Sequence, residues 1–210
     1  MQIMAMLTML IDHIGLIFFP DNVVWRIIGR IALPIYAYCI VQGFLHTRSV
    51  DRYMGRLILL AAISQVPYML SFSTLNINVI ATLAVCLGVL IGASRYPRWT
   101  IGFVAAGAFM LEALPFSYGY YALALVLIYR YLDRRYWLAA HLVLNVFALV
   151  LDSGWWVQSF SLIPTAFLAY RDTLFAEFRL GFAPPRWVWR SFYPAHLAAL
   201  AAIAALMNID

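Results

Sequence analysis

The hydrophobic positions of this chain form long unbroken runs, and the short connections between them hold most of its polar residues. The runs do not alternate apolar and polar residues with a period of two, so the pattern predicts helices rather than strands. Many runs approach the ~20 residues that an α-helix needs to cross about 30 Å of hydrocarbon. The sequence therefore predicts an all-α, polytopic transmembrane bundle in a single domain, residues 1–210. We expect about nine spans, with limits 2–19, 23–45, 56–71, 76–94, 99–114, 118–132, 136–151, 155–170 and 191–208.

The composition makes lipid the expected solvent of this chain. Of its 210 residues, 65% are hydrophobic and only 11% are charged, and the mean hydropathy is +0.87. A soluble domain carries about 25% charged residues, so this chain has too little polar surface to cover a water-soluble globule. In lipid each backbone amide needs a partner within the protein, and helices provide one.

The basic residues alternate between connections. All 14 of them are arginine, and the formal net charge is +5. Two of them lie inside the second span, and the other twelve lie in or beside the connections that follow spans two, four, six and eight, whereas the alternate connections 20–22, 72–76, 115–117 and 152–154 hold none. The positive-inside rule then predicts an N-terminus inside and a C-terminus outside. This placement favours a topological role for the arginines, so we expect no nucleic-acid partner.

Four ionisable side chains interrupt the first two spans: Asp12 and His13 in the first, Arg26 and Arg30 in the second. Such groups cost roughly 2.5–3.5 kcal/mol each on insertion scales and usually mark function. The two spans are joined tightly and Arg26 and Arg30 share one helix face, so Asp12 should meet an arginine at matched depth. The surplus positive charge suits an anionic ligand or an oxyanion, and a histidine beside a carboxylate suits proton transfer. The alternative is a structural ion pair with His13 packed beside it.

Milder polar residues lie in later spans and are expected to form hydrogen bonds between helices. Gln65 and Asn78 lie toward the outer side at the depth of the charged cluster, which would let them share its cavity. The remaining histidines are expected near inner helix ends, as interfacial capping groups: His46, His141 and His196. The sequence has no zinc-ligand spacing, nucleotide-binding loop or nucleophile elbow, so no metal is expected.

The segment 9–15, which contains Asp12 and His13, resembles the opening motif of the TraX family, the group that includes the F-pilin acetylase. The segments 26–34, 42–48, 64–67, 78–79 and 192–197 also resemble family positions. The resemblance is specific over roughly the first eighty residues and over the last span. Between 95 and 190 only the hydropathy is similar.

This resemblance implies an acyltransferase of the bacterial cytoplasmic (inner) membrane. It would move an acetyl group from cytoplasmic acetyl-coenzyme A to an amine or hydroxyl acceptor, such as a pilin N-terminus or an amino sugar. By motif match, His13 is the general base or acyl-handling histidine and Asp12 orients it. The implied substrate- and donor-binding residues are Arg26, Arg30, Gln65, Asn78, Tyr193 and His196. The expected partners are membrane lipid, acetyl-coenzyme A and an amine-bearing acceptor (a peptide, a sugar or a lipid head group).

Two questions stay open at this point. A buried Asp-His-Arg set also suits a proton relay, so a proton- or anion-coupled transporter is the rival function. A cavity that reaches Asp12 and His13 from the inner face would favour the enzyme. The connection 171–190 either lies on the inner leaflet or forms a lid or binding surface for an anionic donor.

Overall fold

The computed structural model describes residues 2–174 and 185–207, and all of its regular elements in those ranges are helical. The α-helices are α1 Gln2–Phe18, α2 Val23–Gly29, α3 Ala32–His46, α4 Val50–Phe72, α5 Val79–Arg95, α6 Thr100–Ala113, α7 Gly119–Tyr131, α8 Trp137–Leu151, α9 Leu162–Leu174 and α10 Arg186–Leu206. Short 3₁₀ segments lie at Pro97–Trp99, Arg134–Tyr136 and Ser153–Ser161. The predicted all-α class is confirmed.

Within residues 2–174 and 185–207, three helical stretches are long and apolar enough to cross a membrane: Val23–His46, Val50–Phe72 and Arg134–Leu151. Shorter apolar helices accompany them. Large apolar side chains remain exposed on the outside of the bundle, among them Ile63, Phe109 and Val150. Many exposed apolar side chains of this kind are typical of a surface in contact with lipid.

The second predicted span is interrupted rather than continuous. Arg30 and Ile31 form a turn between α2 and α3. Pro34 explains the break, because it has no N–H to donate to the carbonyl of Arg30 and its ring crowds that carbonyl. The backbone tightens in response, and the Ile31 amide donates to the Ile28 carbonyl at 3.2 Å. The interruption places the Arg30 guanidinium at a bend instead of on a regular helix face.

The eighth predicted span also changes character along its length. Its first part is the 3₁₀ segment Ser153–Ser161, and α9 begins only at Leu162. Pro164 lies in the first turn of α9, a position where proline is tolerated because its missing N–H would have no partner there. The 3₁₀ segment brings Gln158 into the bundle, where it is buried.

The helices α1 and α2 approach each other closely through two glycines. A Cβ atom on Gly15 would lie 2.1 Å from the Cβ of Trp25, and one on Gly29 would lie 2.2 Å from the carboxyl carbon of Asp12. Small residues allow such approach between membrane helices. Helix α10 packs against both α1 and α4, which brings the end of the chain to the same region.

Candidate functional site

A cavity of about 720 Å³ lies where the ends of several helices converge. Its rim includes the exposed residues Ser73, Asn76 and Gly154, and its floor is formed by buried side chains. The floor residues are Asp12, His13, Arg30, Gln158 and Tyr193.

The connections around this cavity, 19–22, 73–78, 114–118 and 152–161, contain no basic residue, and we call this side of the bundle the arginine-free end. The cavity therefore reaches Asp12 and His13 from the arginine-free end. A cavity that reaches these residues from the inner, arginine-rich side would favour the enzyme, and this cavity opens at the opposite end.

Asp12 is held by both predicted arginines. Arg26 Nη1 donates to Asp12 Oδ1 at 3.1 Å, and Arg30 Nη2 lies 3.2 Å from Oδ1 and 3.3 Å from Oδ2. The Arg30 side chain is 8% exposed, whereas that of Arg26 is 32% exposed. One carboxylate thus faces two guanidinium groups, as the sequence predicts, and positive charge is in excess at the cavity floor.

Arg30 is fixed by three further contacts. Its Nε donates to the Arg26 carbonyl at 3.1 Å, and its Nη1 donates to Gln158 Oε1 at 3.1 Å. The guanidinium carbon lies 5.5 Å from the centre of the Tyr118 ring. The sequence interpretation missed Gln158 and Tyr118, because both come from a part of the chain where only hydropathy was informative.

His13 pairs with His196 and not with Asp12. His13 Nδ1 lies 2.9 Å from His196 Nε2, and His196 Nδ1 lies 2.6 Å from the Phe192 carbonyl oxygen. Among the hydrogen bonds of residues 2–174 and 185–207, none joins Asp12 to His13 and none uses His13 Nε2. Successive side chains on an α-helix point about 100° apart, which explains how the two neighbours face different partners.

The expectation that His196 caps an inner helix end is wrong. It lies in the middle of α10, is buried at 8% exposure and contacts His13 through hydrogen bonding. Tyr193, one helical turn earlier, lines the cavity, and its ring makes a T-shaped contact with that of His13. Its hydroxyl is buried and makes no hydrogen bond within the described ranges.

Gln65 and Asn78 lie together, but they do not line this cavity. Asn78 Nδ2 donates to Gln65 Oε1 at 2.7 Å and to the Ala61 carbonyl at 2.9 Å. The Asn78 side chain also accepts from the first amides of α5, as an N-cap does. These contacts join α4 to α5 next to Asn76 and Val79, which line the cavity. A direct role of Gln65 and Asn78 in binding stays a prediction.

Two cavity residues have strained backbone conformations. Ser73 and Tyr118 are not glycines, yet their φ angles are 45° and 68°. Such conformations cost about 1–3 kcal/mol and concentrate at functional sites. Both residues line the cavity, so the strained positions and the charged cluster coincide.

His141 does not cap a helix end as expected, since it is fully buried between α7, α8 and α9. Its Nε2 lies 2.7 Å from Tyr121 Oη, and its Nδ1 lies 2.7 Å from Thr165 Oγ1. Tyr121 Oη also donates to Asn145 Oδ1 at 2.9 Å. This network links helices away from the cavity. His46 is exposed and bonds the Gln42 carbonyl of its own helix end, as a capping residue does.

Comparisons with known proteins identify relatives over nearly the whole chain. The sequence matches the family described as TraX protein over residues 1–204. It is 30% identical over 233 residues to the "Probable fimbrial assembly protein FimC, serogroup H1" of Dichelobacter nodosus, covering 95% of this chain and 92% of that protein.

A second relative is an uncharacterised protein of Rickettsia prowazekii (strain Madrid E), 36% identical over 66 residues, which are 31% of this chain and 25% of that protein. No solved structure matches the chain significantly. The extent of the family match and of the first relative, together with the motif around Asp12 and His13, shows that this chain belongs to the TraX family.

Proposed function

We propose that this protein is an integral-membrane acyltransferase that acetylates an amine, with acetyl-coenzyme A as donor. The observation that carries the proposal is the cavity floor on which His13 Nε2 has no hydrogen-bond partner among the described residues while two arginines provide excess positive charge. A fimbrial assembly relative and the TraX family make a pilin amino terminus the first acceptor to test. An amino sugar is the second acceptor to test.

The side chains on the floor match the steps of amine acetylation. The amine nitrogen attacks the thioester carbonyl carbon, a C–N bond forms, and the C=O electron pair moves to oxygen. Arg26 and Arg30 stabilise that oxyanion. The oxyanion then collapses, the C–S bond breaks, and the thiolate leaves with the electron pair. His13 accepts the proton that the amine loses and returns it to the thiolate, which gives amide and thiol in balance.

The topology we propose has nine spans, with the N-terminus inside and the C-terminus outside, in one acyltransferase-like domain. The arginine-free end then faces outward, so the acceptor enters the cavity from outside. The phosphates of the donor suit the arginine-rich inner side. The connection 171–190 is expected either to lie on the inner leaflet or to form a binding surface for the donor, and its residues 175–184 lie outside the described residues.

Acetyl transfer by the purified protein tests this proposal. The protein in nanodiscs is given acetyl-coenzyme A and a peptide with a free amino terminus, and the acetylated peptide is quantified by mass spectrometry. We expect His13→Ala to lower kcat by roughly 10²-fold or more, because proton transfer by a positioned base contributes that much. His46→Ala is the matched control, since His46 is exposed and does not line the cavity, and should keep wild-type activity.

Two results would contradict the proposal. One is a folded wild-type protein that neither binds acetyl-coenzyme A in calorimetry nor acetylates any amine offered. The other is full activity in the His13→Ala variant.

One observation favours the rival transporter function. The cavity opens at the arginine-free end, as a substrate-binding vestibule would, rather than at the arginine-rich side from which the donor is expected. Flux of protons or anions through proteoliposomes, abolished by Arg30→Gln, would support transport. Acetyl transfer in the absence of any such flux would reject the transporter function.

A further inference from the structure

We infer that His196 is a positioning residue that holds the proton of His13 on Nδ1 and thereby leaves the lone pair of Nε2 directed to the cavity. The catalytic consequence rests on the proposed acyl transfer, whereas the position of the proton does not.

The Phe192 carbonyl sets the direction of the hydrogen bonds. A carbonyl oxygen only accepts, so His196 Nδ1, 2.6 Å away, carries a hydrogen and donates it. In a neutral imidazole the other nitrogen is then an acceptor. His196 Nε2 therefore accepts from His13 Nδ1 across 2.9 Å. His13 is left with its proton on Nδ1 and a free electron pair on Nε2.

The relative orientation of the two rings supports a real hydrogen bond. Their planes differ by only 13°, and their centres are 5.1 Å apart. With the two nitrogens 2.9 Å apart, this arrangement places the rings side by side in nearly one plane, where N–H and lone pair point at each other.

The charges nearby favour the neutral pair. Asp12 provides one negative charge, and Arg26 and Arg30 already provide two positive charges beside it. A protonated imidazole would add a third positive charge to this buried floor. The rings of Phe72 and Tyr193 also contact His13 in T-shaped arrangements, and neither carries a compensating negative charge. The neutral pair with a single direction of donation is thus the stable form.

The arrangement prepares His13 for catalysis. A general base needs a lone pair on the nitrogen that faces the substrate, and which nitrogen has it is determined by the hydrogen bond of the other one. An isolated neutral imidazole in water carries its proton mainly on Nε2, which would present an N–H to the amine. His196 reverses that preference. In this site His196 selects the tautomer of His13, as a carboxylate does for many catalytic histidines.

Nitrogen NMR of the full chain tests the inference. The protein is labelled with ¹⁵N-histidine in nanodiscs, and the protonated nitrogen of each ring is read from long-range ¹H–¹⁵N correlations. The four histidines are assigned by single substitution. We expect the His13 proton on Nδ1 in the wild type.

Two variants separate positioning from packing. In His196→Phe the ring is kept but the acceptor is lost, so the His13 proton should move to Nε2. In the acetyl-transfer assay, kcat should fall roughly 10²-fold with the KM for acetyl-coenzyme A unchanged. In His196→Gln the amide oxygen can accept from Nδ1, so the wild-type proton position and much of kcat should return. The His46 signals serve as the internal control and should not change.

The outcomes distinguish this inference from the proposed function. A wild type with its His13 proton on Nε2 overturns the inference even where acetyl transfer is observed. A proton that stays on Nδ1 in His196→Phe also overturns it, because His196 would then not be its cause. A His13 proton on Nδ1 in a protein that transfers no acetyl group overturns the proposed function and leaves the assignment of the proton intact.

Discussion

At the scale of single residues, the sequence predicts the charged partners but not all of their contacts. The pairing of Asp12 with Arg26 and Arg30 follows from short separation and helix periodicity, and the structure confirms it. The pairing of His13 with His196 joins residues 183 positions apart. No local pattern encodes such a contact, which depends on how α10 packs against α1. Motif resemblance selects His196 as functional, but it does not reveal which atom His196 contacts.

The charged cluster predicts unequal roles for its two arginines. Arg30→Gln removes the buried partner of Asp12 and should lower the free energy of unfolding by about 3–5 kcal/mol, since a buried charge loses its compensation. Arg26→Gln should cost less, because the Arg26 side chain is 32% exposed and water can replace it. Thermal unfolding in detergent measures both.

The control for this comparison is the exposed pair Arg95 and Asp51, whose side chains are 57% and 74% exposed. Arg95→Gln should cost no more than about 1 kcal/mol. The double variant Asp12→Asn with Arg30→Gln should recover stability relative to Arg30→Gln alone. Equal losses for Arg30→Gln and Arg95→Gln would show that the Asp12 cluster does not contribute to stability as described.

At the scale of helices, the hydropathy pattern predicts positions well and continuity poorly. Most predicted spans differ from the observed helices by a few residues. Helix α4 begins at Val50, six residues before the predicted start of the third span, because Ser49 provides an N-cap there. The break at Arg30 and Ile31 was missed although Pro34 is visible in the sequence. An apolar run has the same hydropathy whether its helix is straight or broken, so only the stereochemistry of proline reveals the bend.

The close approach of α1 and α2 at Gly29 predicts that a larger residue there destabilises the protein. Gly29→Ala would place a methyl group 2.2 Å from the Asp12 carboxyl carbon. It should displace that carboxylate, weaken both ion pairs and destabilise the protein by about 1–3 kcal/mol. Gly55→Ala is the matched control, because nothing lies within 4 Å of the added atom. It should be neutral or stabilising by about 0.5–1 kcal/mol.

Unfolding midpoints of Gly29→Ala and Gly55→Ala, measured side by side, test this predicted difference in stability. A Gly29→Ala protein as stable and as active as Gly55→Ala would show that Asp12 has room to move, and that the cavity floor is less tightly packed than the distances indicate.

At the scale of the whole molecule, the distribution of arginines and the position of the cavity are linked. Alternation of charge between connections predicts which helix ends lie together. The connections around the cavity are indeed the ones that lack arginine. The sequence could not predict the cavity itself, since its walls combine α1, α2, α4, α5, the 3₁₀ segment Ser153–Ser161 and α10. The assembly of these elements depends on tertiary packing.

Thiol labelling in intact cells tests the orientation. In a background with Cys39→Ser and Cys86→Ser, an Asn76→Cys thiol at the exposed rim should react with a maleimide that does not cross the inner membrane. An Arg98→Cys thiol in the arginine-rich connection before α6 should react only after the cells are opened. The reverse pattern would invert the topology and place the cavity mouth inside.

The position of the cavity mouth has a pharmacological consequence. In the topology proposed above, a small anionic compound that fits a space of about 720 Å³ and is attracted by Arg26 and Arg30 would need to pass only the outer envelope layer. Such a blocker would be exempt from cytoplasmic uptake and from efflux out of the cytoplasm, two common causes of failure for antibacterial agents.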